Sequence, residues 1–101
     1  MPHLNLEYSK NLSAFDPRLA LQQLNNALIE SGHFVEGDIQ SRAIGFDDFL
    51  IGNVQEGRAF IHIKLQILSG RSAEVKKALS EALIQALKID STQELKLLIR
   101  S

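Results

Sequence analysis

The residue with the most chemistry to offer stands second in the chain. A methionine followed by a small residue such as Pro2 is normally removed after synthesis, and its loss leaves a secondary amine at the N-terminus. An α-amino group has a reference pKa of about 7.7–8.0. An apolar pocket disfavours the cation and draws that value towards neutrality, where a general base works best. If Met1 stays, the same nitrogen is an amide without basicity. A Met-Pro start on its own is common and assigns no function. The three histidines offer less. His33 follows Gly32 at an expected helix end, where a cation suits the dipole. His3 and His62 become neighbours if the first and third strands pair, but no third metal ligand at suitable spacing is evident. Asp47 and Asp48 are adjacent, and adjacent strand residues point to opposite faces, so the pair reads as turn chemistry. The six glycines form no phosphate-cradling motif. Absence of cysteine excludes disulfides, thiolate metal sites and cysteine nucleophiles.

The elements that must position these groups are legible in the hydrophobic pattern. Residues 3–8 alternate polar and apolar, the period of a half-buried strand. Asp16 offers an N-cap oxygen, and Pro17 sits where a first-turn proline is tolerated. Leu21, Leu24 and Leu28 then recur at helical spacing until Gly32 stops the helix. A second strand is expected around Asp38–Phe46, with Asp47–Gly52 continuing as a hairpin or a bulge. Residues 59–67 alternate again, the set Ile61, Ile63, Leu65 and Ile67 opposing Phe60, His62, Lys64 and Gln66. Ser72 can cap a second helix whose apolar stripe runs through Val75, Leu79, Ala82, Leu83, Ala86 and Leu87. Glu94–Arg100 reads as a last strand.

The order strand, helix, strand occurs twice, and the helices themselves match. Leu24-Asn-Asn-Ala27-Leu28-Ile29 recurs as Leu79-Ser-Glu-Ala82-Leu83-Ile84, 55 residues later. The expected fold is therefore α/β in the α+β two-layer sense. It has two right-handed β-α-β units, a four-stranded mixed sheet and both helices on one face. The second sheet face is expected to be mixed and partly apolar, with Leu98 among its polar positions, which points to an oligomer.

At 101 residues there is room for one domain, spanning 1–101, and one core. The composition, 45% hydrophobic and 23% charged, is that of a globular chain. A net charge of -1, with eleven scattered Lys and Arg, argues against nucleic acid, which needs a concentrated basic face. No signal peptide is visible, and no apolar run approaches the roughly eighteen residues of a membrane span. A cytoplasmic location, with no membrane partner, is the expectation.

The opening Pro2-His3-Leu-Asn-Leu-Glu7-Tyr8-Ser9-Lys-Asn11-Leu12 resembles the start of the 5-carboxymethyl-2-hydroxymuconate isomerases, small members of the tautomerase superfamily. The likeness continues at Ile39-Gln-Ser41-Arg42 and at Ala59-Phe60-Ile61-His62-Ile63-Lys64-Leu65. It ends with Gly70-Arg71-Ser72, which opens a helix. The resemblance implies a tautomerase-like fold and a cofactor-independent isomerase of aromatic compound catabolism, assembled as a homotrimer. It also implies that Pro2 acts as the acid/base on an unsaturated 2-hydroxy or 2-keto dicarboxylate. Arg42 and Arg71 then hold the substrate carboxylates and the developing negative charge, which suits guanidinium forks. Arg71 gains from the helix entrance beside it. An aromatic often precedes the Ala-Phe of the third strand in the family; here Arg58 stands there, as a further anion contact or a surface charge. Relatives typically continue past the fourth strand. The competing reading is a non-catalytic tautomerase-like or ferredoxin-like module that binds a small anion. It has no need of a free prolyl amine.

Overall fold

The computed structural model describes residues 2–54, 57–67 and 72–87, together with the backbone of 94–100. Strand β1 (His3–Ser9) is followed by helix α1 (Pro17–Glu30), which starts where a cap is available. Asp16 Oδ1 accepts the backbone N–H groups of Arg18 and Leu19 at 3.1 and 3.2 Å. Pro17 fills the first turn, where its missing N–H leaves no bond unmade. At the other end the Ser31 hydroxyl donates to the Leu28 carbonyl at 2.6 Å, and Gly32 leaves the helix at φ 78°. A 3-10 turn (Glu36–Asp38) leads into β2 (Gln40–Phe46), which begins two residues later than its sequence pattern implied. After β3 (Phe60–Gln66), Ser72 Oγ accepts the Val75 N–H at 3.2 Å and opens α2 (Ala73–Leu87). The last strand, β4 (Glu94–Arg100), is described by its backbone alone.

The sheet is mixed, in the order β2-β1-β3-β4. The outer pairs β1–β2 and β3–β4 are parallel, each joined through a helix, and β1 and β3 meet antiparallel at the centre. Two β-α-β units thus lie side by side. Strands β1 and β3 turn Leu4, Leu6, Ile61, Ile63 and Leu65 towards the helices, and all are buried. The helices answer with Leu24 and Leu28 from α1 and Leu79 and Leu83 from α2. These four leucines are equivalent positions of the repeated sequence. The likeness of the two halves therefore records one buried stripe used twice, each full burial contributing about 1.5–3 kcal/mol.

Two connections have specific solutions. Ser9 is fully buried at the end of β1, and its Oγ accepts the Phe60 N–H at 2.9 Å, extending the β1–β3 pairing by one side-chain bond. Within Asp47–Gly52 and beyond, the chain makes a tight reversal, neither a long hairpin nor a bulge. Ile51 and Val54 exchange backbone bonds across Gly52, at φ 66°, and Asn53.

The face of the sheet away from the helices carries His3, Asn5 and Glu7 from β1, Arg42 and Ile44 from β2, and His62, Lys64 and Gln66 from β3. Its centre is therefore charged and paired, more polar than the alternation suggested. Its apolar part gathers at one end, where Phe60 packs against Phe46 and Phe49 with ring centroids 6.0 and 5.6 Å apart. The antiparallel register also corrects the pairing of histidines. His62 lies opposite Glu7 and His3 opposite Gln66, so four residues of strand, roughly 13 Å, separate the two rings' strand positions. Among the described residues no helix is long and apolar enough to cross a membrane.

Candidate active site

Pro2 is buried immediately before β1, and its carbonyl accepts the Gln40 N–H at 3.0 Å, so the start of β1 is tied to the start of β2. Next to it, on the open face, is His3. Parallel pairing places Asn5 directly opposite Arg42. Arg42 turns its guanidinium back over β1: Nη1 donates to Asn5 Oδ1 at 2.9 Å, and Nη2 lies 3.0 Å from His3 Nδ1. A guanidinium can only donate, so His3 Nδ1 must be the unprotonated, accepting nitrogen, and the proton of a neutral ring sits on Nε2. The Arg42 side chain is otherwise exposed, and its remaining N–H groups face solvent, where a carboxylate can take them two at a time.

One step along the same face, Glu7 Oε1 lies 3.4 Å from His62 Nδ1 and 3.6 Å from Lys64 Nζ. Asn5, Glu7, Arg42, Ile44 and Lys64 line a depression of about 450 Å³ between these groups. Register brings Arg42, Asn5 and Lys64 into one row across three strands, two cations flanking an amide. A larger hollow of about 570 Å³ lies between α1 and α2, lined by Gln23, Asn26, Ala27, Glu30, Ala82 and Gln85. It contains one carboxylate and no cation, so the chemistry available to an anionic substrate is on the sheet face.

The other residues singled out by sequence are dispersed. Arg58 Nη1 donates to the Ile51 carbonyl at 2.8 Å, and its own carbonyl accepts Asn11 Nδ2 at 2.6 Å. In this position it braces the reversal at residues 51–54. Arg71 and Gly70 lie outside the described residues. Asp47 Oδ2 meets Lys10 Nζ at 3.4 Å, an exposed ion pair of the kind that contributes little. What residue patterns alone missed is the bracket around Arg42. His3 and Asn5 are spaced for one strand face, but the register that sets both against Arg42 leaves no mark in the local sequence.

Comparison with known proteins identifies the family. The model of the family described as 5-carboxymethyl-2-hydroxymuconate isomerase matches residues 2–96. The chain belongs to that family. It is an isomerase. A solved 5-carboxymethyl-2-hydroxymuconate isomerase from Deinococcus radiodurans R1 is 34% identical, with 98% of this chain aligned to 79% of that one and a TM-score of 0.81. A 5-carboxymethyl-2-hydroxymuconate delta-isomerase structure is 23% identical, covering 98% of this chain and 81% of its own, at a TM-score of 0.83. A structure described as a fused 4-OT wild-type symmetric trimer shares the fold at 23% identity, 98% and 84% coverage and a TM-score of 0.71. No curated protein sequence is a significant match. The family is thus an isomerase family, and the expectation from the N-terminal motif agrees with it.

Proposed function

We propose that the protein is a cofactor-independent tautomerase in which Pro2, freed of Met1, moves a proton on an unsaturated 2-hydroxy or 2-keto dicarboxylate. The observation that carries this reading is the bracketed guanidinium of Arg42, two hydrogen bonds fixing a cation beside the strand end at which Pro2 begins. A substrate carboxylate takes the outward N–H groups of Arg42. The free prolyl nitrogen removes a proton from the 2-hydroxyl or the adjacent carbon, and the electron pair moves through the conjugated system. Prolinium then returns a proton to another carbon, so the reaction isomerises the substrate without adding or removing atoms. Negative charge that develops on the dienolate is held by Arg42, with Arg71 and Arg58 as further candidates for anion contact. The substrate class is one that 5-carboxymethyl-2-hydroxymuconate represents.

The assembly belongs to the same reading. The homologous fold occurs in a protein described as a symmetric trimer, and Ile44, Leu50 and Val54 leave apolar surface exposed near the Phe46–Phe60 end of the sheet. A homotrimer covers such surface.

The decisive experiment compares three forms on 2-hydroxymuconate: processed protein, Pro2→Ala and a form that keeps Met1. A positioned proton-transfer group contributes about 10²–10⁴-fold, so Pro2→Ala, with a primary amine, is expected to lose a large part of kcat. The Met1-retaining form loses more, because its nitrogen is an amide. In the processed enzyme kcat/KM rises with pH as the amine gives up its proton. Equal rates in all three forms sink the assignment and favour the anion-binding module.

A further inference from the structure

Arg42 is useful to a substrate only while it is aimed, and the groups that aim it are one titratable ring and one amide. Asn5 is the directly paired residue on β1, and His3 is the next residue along the same face. Both accept from different nitrogens of one guanidinium, at 2.9 and 3.0 Å. Two contacts at separate Nη atoms fix the plane of the fork as well as its position, which a single bond does not. We infer that His3 and Asn5 are positioning residues for Arg42, and that His3 performs this only as the neutral imidazole, making dicarboxylate affinity dependent on its protonation. The inference rests on the proposed role of Arg42 as a carboxylate-binding group.

The chemistry is one-directional. Neutral His3 offers a lone pair on Nδ1; protonated His3 offers only donors and a positive charge. On protonation the Nη2 bond is lost and two cations face one another, so the guanidinium swings away and keeps only the Asn5 contact. The charged and titratable groups around His3 do not reverse this. Across β2 stand Arg42 and the uncharged Gln40, and across β3 stand Gln66 and, diagonally, Lys64. On β1 itself Glu7 lies beyond Asn5 and is engaged by His62 and Lys64. The freed amine of Pro2, the preceding residue, is likewise cationic or neutral, so among the described residues the surroundings of His3 are cationic or neutral. The effect falls mainly on substrate binding, to which Arg42 contributes in the ground state as well as in the transition state, and it leaves the Pro2 amine in place.

The test joins a substrate-free measurement to kinetics. In ¹⁵N-resolved NMR of the intact protein, His3 should show an unprotonated Nδ1 whose chemical shift moves when Arg42→Ala removes the donor. In steady-state kinetics on 2-hydroxymuconate, His3→Ala should raise KM about tenfold, with any fall in kcat smaller than the rise in KM, as expected for loss of one contact to a charged group. His3→Asn puts an amide oxygen where Nδ1 was and cannot titrate. It should bring KM back to near the wild-type value and remove the rise in KM at low pH. Asn5→Leu, which keeps the shape and removes the acceptor, should raise KM as His3→Ala does. A His3 Nδ1 chemical shift unmoved by Arg42→Ala overturns the inference, as does a His3→Ala enzyme with wild-type KM at every pH. Wild-type protein that turns over no such substrate overturns the proposed function instead, and the His3 Nδ1 chemical shift still decides whether the bracket exists.

Discussion

Arg42 has two of its guanidinium nitrogens turned back into the sheet and the rest turned outward, an arrangement that restrains the group without consuming it. Removing it should therefore weaken substrate use while sparing the fold, since the side chain is exposed. Losing one charge-assisted contact costs roughly 1.5–3 kcal/mol, so Arg42→Ala should lower kcat/KM on the order of tenfold to a hundredfold. The loss should be read beside an unchanged thermal midpoint. Arg71→Ala is expected to behave similarly, on the strength of its Gly70-Arg71-Ser72 context. If both variants turn over 2-hydroxymuconate at wild-type rates, the anion site lies elsewhere. Arg58 differs from Arg42 in what it engages: its bond to the Ile51 carbonyl holds a turn. The sequence identified the three arginines as a class. It did not separate the one bracketed on the sheet face from the one bracing a loop, because both stand in polar stretches and only long-range pairing distinguishes them.

Helix and strand ends give the next set of expectations. Asp16 accepts two N–H groups that the helix cannot satisfy internally, so Asp16→Ala should destabilise the protein by about 1 kcal/mol. Urea denaturation should show a lower midpoint with an unchanged slope. On β2, Gly45 lies under the Tyr8 ring: a Cβ there would stand 2.8 Å from Tyr8 Cζ and 2.9 Å from Lys10 Cγ. The lysine can swing away, but Tyr8 is packed against the core and against Phe15, with ring centroids 5.2 Å apart. Gly45→Ala should therefore destabilise by about 1–3 kcal/mol, the range for overpacking, and the same denaturation series measures it. A stable Gly45→Ala protein would mean that the Tyr8 ring is not confined. The caps and helix stripes were legible because they depend on residues within one turn of each other. The glycine was not, since the ring that requires it is 37 residues away in sequence.

For the molecule as a whole, the expectation is a homotrimer. Exposed Ile44, Leu50 and Val54 lie on or near β2, the outer strand of the sheet among the described residues. Sedimentation at micromolar concentration should give a trimer; monomer alone would rule out the assembly and any site shared between subunits. By itself the sequence determined the two β-α-β units, their caps and the leucine stripes they share, and the N-terminal motif that identifies the family. Each of these is written in short-range periodicity or in a contiguous stretch of residues. Tertiary structure alone decided which face of β3 is buried and that His3 and His62 stand apart on the sheet. It also decided that Glu7 gathers His62 and Lys64, and that His3 and Asn5 bracket Arg42. Alternation tells which residues share a face of one strand, but the register between strands is set by the packing of the whole sheet on its helices. A slip of one residue would turn Arg42 to the other side, and that packing forbids it.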